Sequence, residues 1–169
     1  MKIIGLILAV YLAFSHPVNA APRIAVLNFE LRDITTLPNT PNELTRTASM
    51  KPLLEQAISK LGDYEIVQIN INEQNAATAG AGYLFDFDEI AAKLGRQSGA
   101  EWVVVGRHSK GSFLYSYVMA HLIGVKTESL AGNYSVELKG THQTVTERGV
   151  SALAKKLTAR IMRLSNSAS

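Results

Sequence analysis

Cysteine is missing from the whole chain. That excludes disulfides, thiolate metal sites and a Cys nucleophile, and it excludes anchoring through a lipidated cysteine. Charge of one sign is also scarce. The formal net charge is only +3, falling by one without Lys2, and no run of like charges calls for DNA, RNA or an acidic lipid surface. A run long enough to span a membrane is absent as well. The longest apolar stretch, Ile3 to Phe14, falls short of the roughly 20 residues that a helical span needs.

That stretch instead suits export. Lys2 gives a positive start, the apolar run follows, Ser15-His16-Pro17 breaks it, and Val18-Asn19-Ala20 offers the small residues a signal peptidase reads. The expectation is a signal peptide over 1–20 cleaved after Ala20, a single domain over 21–164, and a frayed tail over 165–169. The alternative is an uncleaved N-terminal anchor. After cleavage no membrane span remains, so the address is periplasmic. A cysteine-free exported domain must hold together by its core alone, and its length is ordinary for one domain.

The mature chain reads as alternating elements. Arg23 to Glu30 (RIAVLNFE) is a buried strand, Leu31 to Arg46 a long loop, and Thr47 to Leu61 a helix with one apolar stripe. Tyr64 to Ile71 alternates as a strand, and Asn72 to Gly82 reads as loop. Asp86 to Ser98 is a helix ended by Gly99. Trp102 to Gly106 (WVVVG) is apolar throughout, as a strand covered on both faces is. Phe113 to Lys126 and Asn133 to Lys139 form a hairpin, and Thr144 to Leu164 closes the chain as an amphipathic helix. Lys155, Lys156, Arg160 and Arg163 in its later half suit the helix dipole. The order β-α-β-α-β-β-β-α predicts an α/β (α+β) fold, a mixed sheet of about five strands with helices packed on it.

Three segments are familiar: RIAVLNFELRD (Arg23 to Asp33), LEQAISKLGDYEIV (Leu54 to Val67) and AAKLGRQSGAEWVVVGRHSKGSFL (Ala91 to Leu114). Together with ELKGTHQTVTERG (Glu137 to Gly149), they resemble a group of exported bacterial proteins of unknown function. More distantly they resemble the N-terminal domain of TolB and the periplasmic domain of the curli secretion protein CsgG. Those domains share the opening strand and the phrase carried here by Gly99, Ala100, Val103, Val104, Val105 and Gly106. The resemblance implies the fold and an exported address. The chain lacks the β-propeller repeats of TolB and the lipidated cysteine and transmembrane hairpins of CsgG, so neither of their activities follows from it.

Candidate chemistry is sparse. Arg107, His108, Lys110 and Ser112 lie just past the strongest strand, where open α/β sheets bind ligands. Arg and Lys there suit a carboxylate or phosphate. The competing reading is a solvated segment with alternate side chains in water, since no Gly-rich phosphate loop accompanies it. For a metal, the weak candidates are His121, Asp86 and Asp88. The acidic pair otherwise reads as helix-start carboxylates satisfying free N–H groups. Asn28, Glu30 and Asp33 are a second-rank binding rim. Phe113, Tyr115 and Tyr117 alternate on one face, which either meets a partner or packs on a helix.

No G-x-S-x-G elbow or metal-ligand spacing is present. The chain is therefore read as a non-enzyme without a cofactor. The expected role is a periplasmic accessory or binding protein that acts through contacts with an envelope protein, by the sheet edge or the hairpin near Ser112 to Tyr117. The alternative is a small-ligand or metal carrier. Nucleic acid is excluded as a partner, and the oligomeric state is open.

Overall fold

The computed structural model describes residues 20–81 and 83–167. The signal-peptide reading lies outside them. A mixed sheet forms the centre, in the order β3-β1-β4-β5-β6 with β2 also on β4. The strands are β1 (Arg23–Val26), β2 (Glu30–Asp33), β3 (Glu65–Val67), β4 (Trp102–Lys110), β5 (Tyr115–Gly124) and β6 (Ser129–Lys139). β1 runs parallel to β3 and β4, β2 runs parallel to β4, and β4-β5-β6 is an antiparallel meander. The helices are α1 (Pro41–Ser59), α2 (Ile71–Ala81), α3 (Asp88–Ser98) and α4 (Gln143–Ser167), with a short 3-10 turn at Leu84–Asp86.

The sheet is covered on both faces, which makes β4 apolar at successive positions. Val104 joins a core with Met50, Leu54 and Ile58 of α1 and with Leu153, Leu157 and Ile161 of α4. Val103 and Val105 face the other way, into a core with Leu84, Phe85, Ala91 and Leu94. Among the described residues twelve large side chains are essentially sealed from solvent, Ile24, Leu122 and Leu138 included. This is the packing that a domain without disulfides needs.

The predicted first strand divides. β1 ends at Val26 and β2 begins at Glu30, and both pair with β4. The Gln74 amide bridges the gap, accepting from the Asn28 N–H at 3.0 Å and donating to the Asn28 carbonyl at 3.2 Å. Phe29 turns its ring onto Gly106, where a Cβ would lie 2.4 Å from the ring carbons. Gly106→Ala is therefore expected to destabilise the fold by about 1–3 kcal/mol. In urea unfolding, combining it with Phe29→Ala should give less than the sum of the two single losses.

Other boundaries differ from the sequence reading as well, among them β6, which begins at Ser129 and not at Asn133, and β3, which is only Glu65–Val67. Residues 31–46 are not all loop: they hold β2 and the first turn of α1, capped by Thr40, whose side chain accepts from the Glu43 N–H. Residues 72–81 are not loop but α2. α4 continues to Ser167, three residues beyond the expected end.

Candidate functional site

β4 does not stop at Gly106 but runs on to Lys110, paired with β2 on one side and β5 on the other. This divides the polar cluster expected just past the strand. Successive strand residues point to opposite faces, so Arg107 goes to the α3 face while His108 and Lys110 go to the α1–α4 face. All three are buried. Arg107, His108, Lys110 and Ser112 therefore do not converge on one ligand. The Ser112 hydroxyl instead accepts from the amides of Leu114 and Tyr115 and shapes the turn between β4 and β5.

On the α3 face, Arg107 is enclosed by its own protein. Its Nη2 donates to Asp86 at 2.8 Å and to Glu30 at 3.3 Å, and its guanidinium lies 4.3 Å from the centre of the Phe85 ring. The hydrogen bond from Arg107 holds the Asp86 carboxyl below its ordinary range, whereas burial pushes Glu30 up. Asp88 Oδ1 sits 3.2 Å from His121 Nδ1, and the His121 ring packs 3.8 Å from Phe85. The three weak metal candidates are thus already engaged. Asp86 binds a guanidinium, and among the described residues no three metal-capable side chains gather. The arrangement fastens the 3-10 turn to the sheet.

On the α1–α4 face, a buried charged network forms. Lys110 Nζ lies 3.1 Å from Glu43 Oε1 and 3.7 Å from Asp33 Oδ2, and Glu43 Oε2 lies 3.7 Å from Arg46. Arg46 donates to the Thr146 hydroxyl at 2.8 Å and to the Gly140 carbonyl at 3.1 Å, tying α1 to the start of α4. His108 sits behind this network, 2.7 Å from the Thr47 hydroxyl and 3.0 Å from the Ser116 hydroxyl. Burial pushes its pKa down to about 4, so the ring is neutral near pH 7. Burial alone would raise the Asp33 carboxyl. Hydrogen bonds from the Thr35 hydroxyl and amide and the Asn39 amide, with Lys110 nearby, hold it below the ordinary range instead.

Glu43, Arg46, Thr47 and Thr146 escaped the sequence reading. A signal for the first was present, since Thr40-Pro41-Asn42-Glu43 has the spacing of a capping box. The Glu43 side chain reaches Lys110 rather than the cap. The network backs onto an open cleft of about 790 Å³ between α1 and α4, lined by Asn42, Glu43, Arg46, Ser49, Gln143 and Thr146 among others.

One end of the sheet is apolar and exposed. Asp33 pairs with Lys110, the Ile34 amide bonds the Lys110 carbonyl, and the Gly140 amide bonds the Leu114 carbonyl. The β2–α1 loop, the β4–β5 turn and the end of β6 therefore meet there. Leu114 is 80% exposed, Ile34 69%, Leu37 66% and Phe113 55%. Phe113 is placed by Lys110, whose Nζ stands 5.2 Å from the ring centre. Tyr115 and Tyr117 continue the patch down β5 as an edge-to-face pair. Both are exposed, so the alternative in which this face packs on a helix does not hold.

No curated protein matches this sequence. Solved structures share the fold at low identity. The PelC dodecamer from Paraburkholderia phytofirmans aligns with a TM-score of 0.51 at 13% identity, over 83% of this chain and 87% of that one. The lipoprotein GNA1162 from Neisseria meningitidis gives 0.50 at 15%, over 80% and 96%. LpoB from E. coli gives 0.50 at 16%, over 70% of this chain and 56% of that one. Residues 22–157 match a family model, and the chain belongs to that family, DUF3280, described as "Protein of unknown function (DUF2380)".

Proposed function

We propose that this protein is a non-enzymatic accessory protein of the bacterial envelope that docks another envelope protein through the apolar end of its sheet. One observation carries the reading. Large apolar side chains on two loops that meet at this end, Ile34 and Leu37 on one and Phe113 and Leu114 on the other, are exposed to water, and exposed apolar surface of this size marks interaction sites. The charged groups behind them are consumed in internal pairs, which leaves that end to recognise by shape and apolar contact.

Three further facts support the reading. The apolar N-terminal stretch has the composition of an export signal. Among the described residues no helix is long and apolar enough to cross a membrane. A protein of this fold, GNA1162, is a lipoprotein by name. The likeness to the TolB and CsgG periplasmic domains belongs to the same proposal, as do the periplasmic address and the cleavage after Ala20.

The docking end is also where substitutions should separate binding from folding. The double variant Phe113→Ser/Leu114→Ser removes exposed side chains together with the contact of the Phe113 ring to Lys110, so its stability in urea should fall by no more than about 1 kcal/mol. Its co-purification with an envelope partner should be lost. A variant that keeps the partner in full at unchanged stability overturns the assignment of this end.

A further inference from the structure

Four of the five cations of α4, those in its later half, lack the explanation that the sequence suggests. A helix dipole acts within the last turn, yet α4 runs to Ser167 and its last turn holds no basic residue. Lys155, Lys156, Arg160 and Arg163 instead line one trench of about 330 Å³ with Tyr134 and Ala159, between α4 and the outer strand β6. Among the described residues no carboxylate pairs with any of the four. The sequence has no Asp or Glu after Glu147.

Two of the cations have partial work. Lys156 Nζ donates to the Ser135 carbonyl at 3.1 Å, and Arg160 Nε donates to the Ala131 carbonyl at 2.9 Å. They occupy carbonyls on the free edge of β6, which is how a sheet discourages another strand from pairing there. Lys155 and Arg163 are exposed and do neither job. The trench is therefore a row of positive charge beside an edge already blunted against strand addition.

We propose that this trench seats an acidic, extended segment of a protein partner, held by charge pairing and not by strand addition. Lys155 to Arg163 spans eight residues of helix, about 12 Å at the usual helical rise. Carboxylates at alternate positions of an extended chain are about 7 Å apart, so three of them cover about 13 Å. A concave row with walls from a strand and a helix fits one chain better than a flat lipid surface. The proposal rests on the reading of a protein partner but not on the apolar end, which the β4–β5 turn and the β2–α1 loop form from other residues.

The probe is a fluorescein-labelled decapeptide of alternating Glu and Ser, followed by anisotropy with the full chain. The parent should bind it, and added salt should weaken that binding. Lys155→Glu/Arg163→Glu should weaken it by about tenfold or more, and Lys155→Gln/Arg163→Gln by less, with both urea midpoints near the parent's. Phe113→Ser/Leu114→Ser should bind the peptide as the parent does, so loss at one surface is distinguishable from loss at the other. Failure of the parent to bind, binding that survives charge reversal, or capture by phosphatidylglycerol vesicles with no peptide binding each overturns the proposal.

Discussion

Lys110→Met is expected to be among the most damaging single changes in the chain, lowering stability by about 3–5 kcal/mol. The methionine nearly matches the lysine in length, so packing is conserved and the loss is electrostatic. Lys110 is the cation shared by Glu43 and Asp33, whose side chains are 6% and 0% exposed. Removing it leaves Glu43 with Arg46 alone, and Glu43 Oε2 already has no hydrogen bond. An uncompensated buried charge costs far more than an exposed pair contributes, which is about 0–1 kcal/mol. Urea unfolding at neutral pH reads the loss directly. Lys110→Met/Glu43→Gln should recover part of it, because the second change removes the stranded charge. A single variant within about 0.5 kcal/mol of the parent contradicts the network as described.

The second large effect depends on pH. His108 is held neutral in the fold with its pKa pushed down to about 4, chiefly by burial, with the Arg46 and Lys110 cations adding and the Glu43 and Asp33 carboxylates opposing. In the unfolded chain the ring titrates near its ordinary value of 6.5. Between those two values the unfolded state binds a proton that the native state refuses, so stability falls as pH falls through this window. The full loss is about 3 kcal/mol, complete near pH 4. Glu30, raised by burial, acts with the opposite sign and offsets part of the loss toward the acid end. Asp33 and Asp86 are depressed, and their contribution disappears only below the ordinary carboxylate range. Glu30 titrates alike in the parent and in His108→Gln, so the difference between the two proteins from about pH 6.5 to about pH 5 isolates His108. Stability measured across that span should decline more steeply in the parent than in His108→Gln, which carries no titrating ring. Equal slopes in the two proteins contradict the assignment.

How much of this could be read beforehand followed from how each signal arises. The apolar stretch at Val103 to Val105 announced a strand covered on both faces, and α1, α3 and α4 announced themselves by their stripes. α2 did not, because it buries a polar residue, Gln74, rather than an apolar stripe. The extension of β4 through Arg107 to Lys110 was hidden by its polarity. Polar residues usually mark a strand's end, and here they stay inside because each finds an internal partner. That partnering is long-range, linking Lys110 to Glu43 and Arg46 to Thr146, and nothing local in the sequence encodes it. For the same reason the polar cluster pointed to a site that the strand's alternation takes apart. Of the candidate residues, Tyr115 and Tyr117 are exposed as alternation along β5 predicts, whereas Phe113 is exposed from the turn before that strand.

The apolar end can be interrogated in place. A photo-crosslinking residue installed at Leu114 should, on illumination of intact cells, yield one discrete adduct with an envelope protein. The same residue installed at exposed Lys93 on α3 should not. An identical adduct pattern at the two positions, or no adduct at Leu114, contradicts docking through this end.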